Sequence, residues 1–175
     1  INLELALSDL NQIEKRRIRL KKQISTNKEA KLENYILEKL SSALENENVV
    51  RNVSLTEEEK KIIKPLGLLT QKPIIYATNL GEDELSKGNN FSEEVNNLAT
   101  KEGSECVKIS AQVEAELIEL GEEERGDYLN GLGVEEGGLI SLIKATYRLL
   151  GLSTYFTTGE KETKAWTIFD GMTAP

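Results

Sequence analysis

Asn79 and Glu82, and about thirty residues later Ser110 and Gln112, are polar residues set just past two short apolar runs. A carboxamide both donates and accepts hydrogen bonds, a carboxylate accepts at two oxygens, and a serine hydroxyl does either. With Leu80 and Ala111 beside them, these residues are suited to holding the polar edge of a ligand. Taken singly, Asn79 and Ser110 are ordinary turn and cap residues. Glu114 and Glu116 read as solvated helix charges. Bond-breaking chemistry has little to work with: the chain has no histidine, hence no usual general base near neutral pH, no Ser-His or Cys-His pair, and none of the commonest metal ligand. The phosphate-cradling pattern Gly-x-x-x-x-Gly-Lys-Ser/Thr is absent, as is any Gly-Lys dipeptide. Gly131-x-Gly133 is too short for a phosphate site and reads as a helix-joining loop. No catalytic residue and no metal ligand is assigned.

A second feature is charge. The chain carries 22 basic and 30 acidic residues, a net charge of -8, yet Lys15, Arg16, Arg17, Arg19, Lys21 and Lys22 put six cations into eight positions. Such a run is either a solvated helix face or a contact for a polyanion, and its concentration in an acidic chain favours testing the second. The single cysteine, Cys106, allows no intrachain disulfide and reads as a buried strand residue. No run approaches the ~20 apolar residues of a membrane span, so no membrane partner is expected.

The elements that must position these residues follow from periodicity. Leu3, Leu7, Leu10, Ile13, Leu20 and Ile24 recur at helical spacing, Ser25-Thr26-Asn27 interrupts, and Leu32, Ile36, Leu40 and Leu44 resume it. Two helices with a short polar break predict an antiparallel, coiled-coil-like hairpin. Thr56 and Glu59 form a capping-box pattern for a short helix ending at Gly67. Residues 73–79 and 105–110 read as buried strands, with helices starting at Ser92 and spanning 111–120, 122–129 and 139–150, the last stopping at Gly151. Residues 152–157 and 165–169 read as two strands facing each other. The alternation of strand and helix predicts an α/β domain with parallel strands, and in such sheets ligands lie at the carboxyl ends of strands. Both ends of the chain read as cut: Ile1 starts directly in a helical pattern, and the last strand runs into a turn and stops.

The two strand ends resemble the fourth and fifth base-recognition motifs of the G domains of P-loop NTPases. The first, Asn79-Leu80-Gly81-Glu82, has leucine where GTPases have lysine and glutamate where they have aspartate. Asn-x-x-Glu followed by Ser110-Ala111-Gln112-Val113-Glu114-Ala115-Glu116-Leu117 resembles the YchF subfamily of Obg-like ATPases, as do Gly67-Leu68-Leu69-Thr70, Lys72-Pro73, Leu149-Leu150-Gly151-Leu152, Thr154-Tyr155-Phe156-Thr157 and Lys164-Ala165-Trp166-Thr167-Ile168. The resemblance covers essentially the whole chain. It implies the C-terminal half of a G domain, without its phosphate-binding half. It also implies a coiled-coil insertion at 1–50, nucleotide-binding residues at 51–151, and the first strands of a β-grasp TGS domain at 152–175. It implies ATP, with GTP as the second nucleotide, bound through Asn79, Leu80, Glu82, Ser110, Ala111 and Gln112. Mg2+ would have its ligands outside this chain. The implied partner is the ribosome or RNA, contacted through the basic hairpin, in a bacterial cytoplasm or an organelle. The chain alone should not turn over nucleotide. The competing reading is a non-enzymatic helical adaptor that binds RNA or protein through the same hairpin.

Overall fold

A computed structural model describes residues 1–173; positions 174 and 175, the end of the expected third segment, lie outside the described residues. The chain forms two compact units, Ile1–Pro73 and Ile74 onward.

In the first unit, helices α1 (Asn2–Leu20) and α2 (Lys28–Glu45) form a helical hairpin. It is antiparallel: after the connection at 21–27 the chain turns back, so Arg16, near the end of α1, pairs with Glu33, near the start of α2. Ile13, Leu20, Ile36, Leu37, Leu40 and Leu44 bury the facing stripes, and Val50, Ile63 and Leu68 from the following segment close the same core. α1 stops at Leu20, short of Ile24, because the backbone tightens there: Gln23 N–H and Ile24 N–H both bond to the Leu20 carbonyl, at 2.7 and 3.1 Å. Asn27 then caps α2, accepting from the Glu29 and Ala30 amides. The capping box at Thr56 is formed, opening α3 (Glu57–Ile63), and the chain leaves through Gly67 in the left-handed conformation at φ 62°.

One buried carboxylate ties this unit together. Asp9 of α1 is fully buried and accepts from the Leu69 amide (2.8 Å), the Thr70 amide (2.8 Å) and the Thr70 hydroxyl (2.7 Å). A buried charge is tolerated when several donors surround it, and here two come from the backbone of a tight turn.

In the second unit, β1 (Ile75–Asn79) and β2 (Glu105–Ile109) pair in parallel, in register from Ile75 opposite Glu105 to Asn79 opposite Ile109. α4 (Asn90–Lys101) connects them, starting two residues earlier than its sequence pattern because Asn89 and Ser92 cap each other. α5 (Ala111–Glu119) and α6 (Glu122–Gly131) follow β2, and α7 (Gly138–Leu150) packs on β2 and β1. α7 approaches closely because its first residue is glycine: a Cβ on Gly138 would lie 2.8 Å from the Ile109 Cα. α7 ends at Gly151, left-handed at φ 59°. β3 (Leu152–Thr158) and β4 (Thr163–Phe169) then form an antiparallel pair. Cys106 is half-buried, not fully covered; burial pushes its thiol pKa up, against opposing pulls from Thr78 and Lys108.

Candidate functional site

The parallel register brings the two polar strand ends side by side. The Leu80 amide donates to the Ile109 carbonyl at 2.8 Å, extending the strand pairing by one step. One residue back, the Asn79 side chain crosses over. Its Oδ1 accepts from the Ala111 amide at 3.0 Å, across 32 residues of sequence. Ser110 is the N-cap of α5, its Oγ accepting from the Val113 amide at 3.4 Å. Leu80 and Ser110 are buried, whereas Asn79, Ala111 and Gln112 are exposed. With its oxygen engaged, the Asn79 carboxamide keeps its NH2 group as a donor.

Glu82 begins a single 3-10 turn, Glu82–Glu84, and joins the second motif through a residue that sequence reading missed. Its Oε1 lies 3.4 Å from the Tyr128 hydroxyl of α6. That hydroxyl donates a short hydrogen bond to Glu116 of α5, and Gln112 Nε2 donates to the same carboxylate at 3.2 Å. Glu116 is therefore a tethered acceptor despite its exposed position, and the two donors hold its pKa down, Tyr128 more than Gln112. The Tyr128 phenol is pushed up to about 12, first by Glu116, then by desolvation and by the charges of Glu116 and Glu82. Its ring packs against Leu85, Val113, Leu117 and Leu129. A lone tyrosine in a polar helix carries no motif. The only sequence signal was the placement of Gln112 and Glu116 four apart, on one face of α5.

Glu114 also has a structural partner: its Oε1 accepts from the Leu139 amide at 3.2 Å, at the start of α7. Gly131-x-Gly133 joins α6 to α7, with Gly133 at φ 73°. Among the described residues no group of three or more acidic or cysteine side chains could hold a metal ion.

No protein-family model matches the chain. The "Ribosome-binding ATPase YchF" of Bacillus subtilis (strain 168) is 46% identical over 178 residues, covering 100% of this chain and 49% of that protein. The protein of the same name from Escherichia coli O157:H7 is 46% identical over 176 residues, covering 100% of this chain and 48% of its own length. Among solved structures, the YchF GTPase of Schizosaccharomyces pombe superposes with a TM-score of 0.89 at 32% identity, covering 99% of this chain and 48% of that one. The chain belongs to the YchF family. It spans about half the length of the curated relatives it matches. Its mixed α/β arrangement, with a parallel strand pair and flanking helices, fits the C-terminal half of a YchF G domain.

The basic run on the hairpin divides into two groups. Arg16 binds Glu33 through Nε and Nη2, at 2.6 and 2.8 Å, a bidentate clamp that holds the guanidinium still more firmly in its charged form. Arg17 donates to Glu38 at 2.6 Å and to Asn34 at 3.3 Å. Both arginines brace α1 against α2. Lys15, Arg19, Lys21 and Lys22 are exposed around the same end of α1 and the turn that follows. No helix among the described residues is long and apolar enough to cross a membrane.

Proposed function

We propose that this chain is the base-recognising part of a YchF-type nucleotide hydrolase that uses ATP, with GTP as the second nucleotide, and associates with the ribosome. The observation that carries the reading is the Asn79 carboxamide bridging two strand ends, its oxygen taken by the Ala111 amide. That leaves an amide N–H to donate to the N7 acceptor of a purine, which adenine and guanine share. The backbone around Leu80 and the Ser110-Ala111-Gln112 turn form the sides of the slot. Discrimination must then come from the other edge of the base. Guanine carries N1–H and C2-amino donors that call for a carboxylate, whereas adenine carries an acceptor at N1. Glu82 stands where an aspartate would read guanine, is one methylene longer, and is drawn toward Tyr128.

The phosphate and Mg2+ contacts of such an enzyme lie in the part of its relatives that this chain does not span, so the chain by itself binds the base without hydrolysis. Residues 1–50 serve as a coiled-coil insertion, 51–151 as part of the nucleotide-binding domain, and 152–175 as the start of a TGS-like domain. The exposed cations Lys15, Arg19, Lys21 and Lys22 face ribosomal RNA, with Arg16 and Arg17 holding the helix that presents them. The names of the relatives support ribosome binding, and a cytoplasmic or organellar location goes with it. The test is nucleotide titration of the full-length protein with and without Asn79→Ala. Loss of affinity for both ATP and GTP is expected; unchanged affinities would sink the reading.

A further inference from the structure

Tyr128 lies outside both strand-end motifs, yet its hydroxyl touches a carboxylate of each. It has one proton and two carboxylate neighbours. By turning about its C–O bond the hydroxyl can give that proton to either: to Glu116, the nearer, or to the Glu82 Oε1 at 3.4 Å, the long end of hydrogen-bonding range. Glu116 is anchored from its other side by Gln112 at 3.2 Å. The ring cannot swing freely, because it packs on a small core drawn from three places: Leu85 after β1, Val113 and Leu117 of α5, and Leu129 of α6. The phenol keeps its proton throughout the neutral range, since its pKa is pushed up to about 12.

The geometry points to Tyr128 as a specificity-positioning residue, which holds the Glu82 carboxylate toward α6 and so withholds it from the base. This rests on the base-site reading above. A carboxylate released into the slot would accept from guanine N1–H and its C2 amino group, and would repel the N1 acceptor of adenine. A carboxylate kept beside Tyr128 does neither, so its retention disfavours guanine and spares adenine. The arrangement also gives the glutamate a use for its extra methylene, which lets the carboxylate reach α6 from the turn after β1.

The experiment measures ATP and GTP dissociation constants for the full-length protein as wild type, Tyr128→Phe, Glu82→Gln, the double variant and Asn79→Ala. Phenylalanine keeps the ring in its packing and deletes only the hydroxyl. The Kd ratio should move toward GTP by about three- to tenfold in Tyr128→Phe, the range of one modest hydrogen bond. It should not move when the same change is made in the Glu82→Gln background, since the effect runs through that carboxylate. An unchanged ratio overturns the inference. So does a parallel loss for both nucleotides, which would make Tyr128 a brace for the loop, and so does a shift that persists without the Glu82 charge. If Asn79→Ala leaves both affinities intact, the base-site reading itself fails, whatever Tyr128 does.

Discussion

At the scale of single residues, the proposed base site would divide recognition at the turn from Asn79 to Glu82 into a shared contact and a selective one. Asn79 has its oxygen committed to Ala111, so what it offers any purine is the same donor. On the proposed reading, selectivity then rests on Leu80 and Glu82. In the full-length protein, Leu80→Lys with Glu82→Asp should restore a bidentate guanine contact and move preference toward GTP by about 1–3 kcal/mol. Paired ATP and GTP dissociation constants would check this, and a ratio that stays put leaves backbone contacts at Leu80 and Ser110 as the selector. The motif residues themselves were legible in the sequence, because asparagine and serine at two strand ends are placed by chain order alone. Tyr128 was not. Its meeting with Glu82 spans 46 residues and depends on how α6 folds back over α5, which no local pattern encodes.

At the scale of elements, periodicity and caps located each α-helix and strand of the described residues to within a few positions, but not the short 3-10 turns such as Glu82–Glu84. The misses came where hydrogen bonds act beyond the apolar pattern. Paired bonds to the Leu20 carbonyl end α1 early, and the reciprocal Asn89 and Ser92 cap starts α4 early. Apolar spacing reports what a helix buries, whereas its ends are decided by orphan backbone groups. Packing of α7 on β2 was equally hidden, since it turns on the missing side chain of Gly138. Gly138→Ala would place a Cβ 2.8 Å from the Ile109 Cα, a backbone atom one residue before Ser110. Overpacking of that kind should cost about 1–3 kcal/mol. The chain should show it as a lowered urea midpoint with an unchanged m-value, and an unaltered midpoint would mean that α7 is free to move off the strand.

At the scale of the whole molecule, charge and catalytic capacity are both unevenly distributed. A protein of net charge -8 sets four exposed cations at one end of its helical hairpin. If those cations meet RNA, each phosphate contact adds about -0.7 to -0.9 to the slope of log affinity against log salt. Replacing Lys15, Arg19, Lys21 and Lys22 by alanine should flatten the slope measured for ribosome binding. Replacing Arg16 or Arg17 should instead loosen the hairpin, seen as a lowered thermal midpoint. A salt slope untouched by the four replacements would return the run to a solvated face. The catalytic side is tested more simply. Incubated with ATP and Mg2+, the purified chain should release phosphate no faster than the buffer, because no phosphate loop is present to stabilise the transferring group.

The Asp9 clasp has a kinetic consequence. Its donors, at Leu69 and Thr70, lie 60 and 61 residues away along the chain, whereas the α1 and α2 stripes meet through a short turn. Closing the longer loop costs more chain entropy, so the hairpin can collapse first and the carboxylate finds its donors last. A contact made after the rate-limiting barrier leaves the folding rate nearly untouched and acts on the escape rate. Asp9→Asn should therefore steepen unfolding several-fold while refolding from urea proceeds at almost the original speed. Stopped-flow measurement of both limbs would separate the two, and a slowed refolding limb would place the clasp in the nucleus instead. On that ordering, the first unit is assembled from local helices and then locked against reopening by one buried carboxylate.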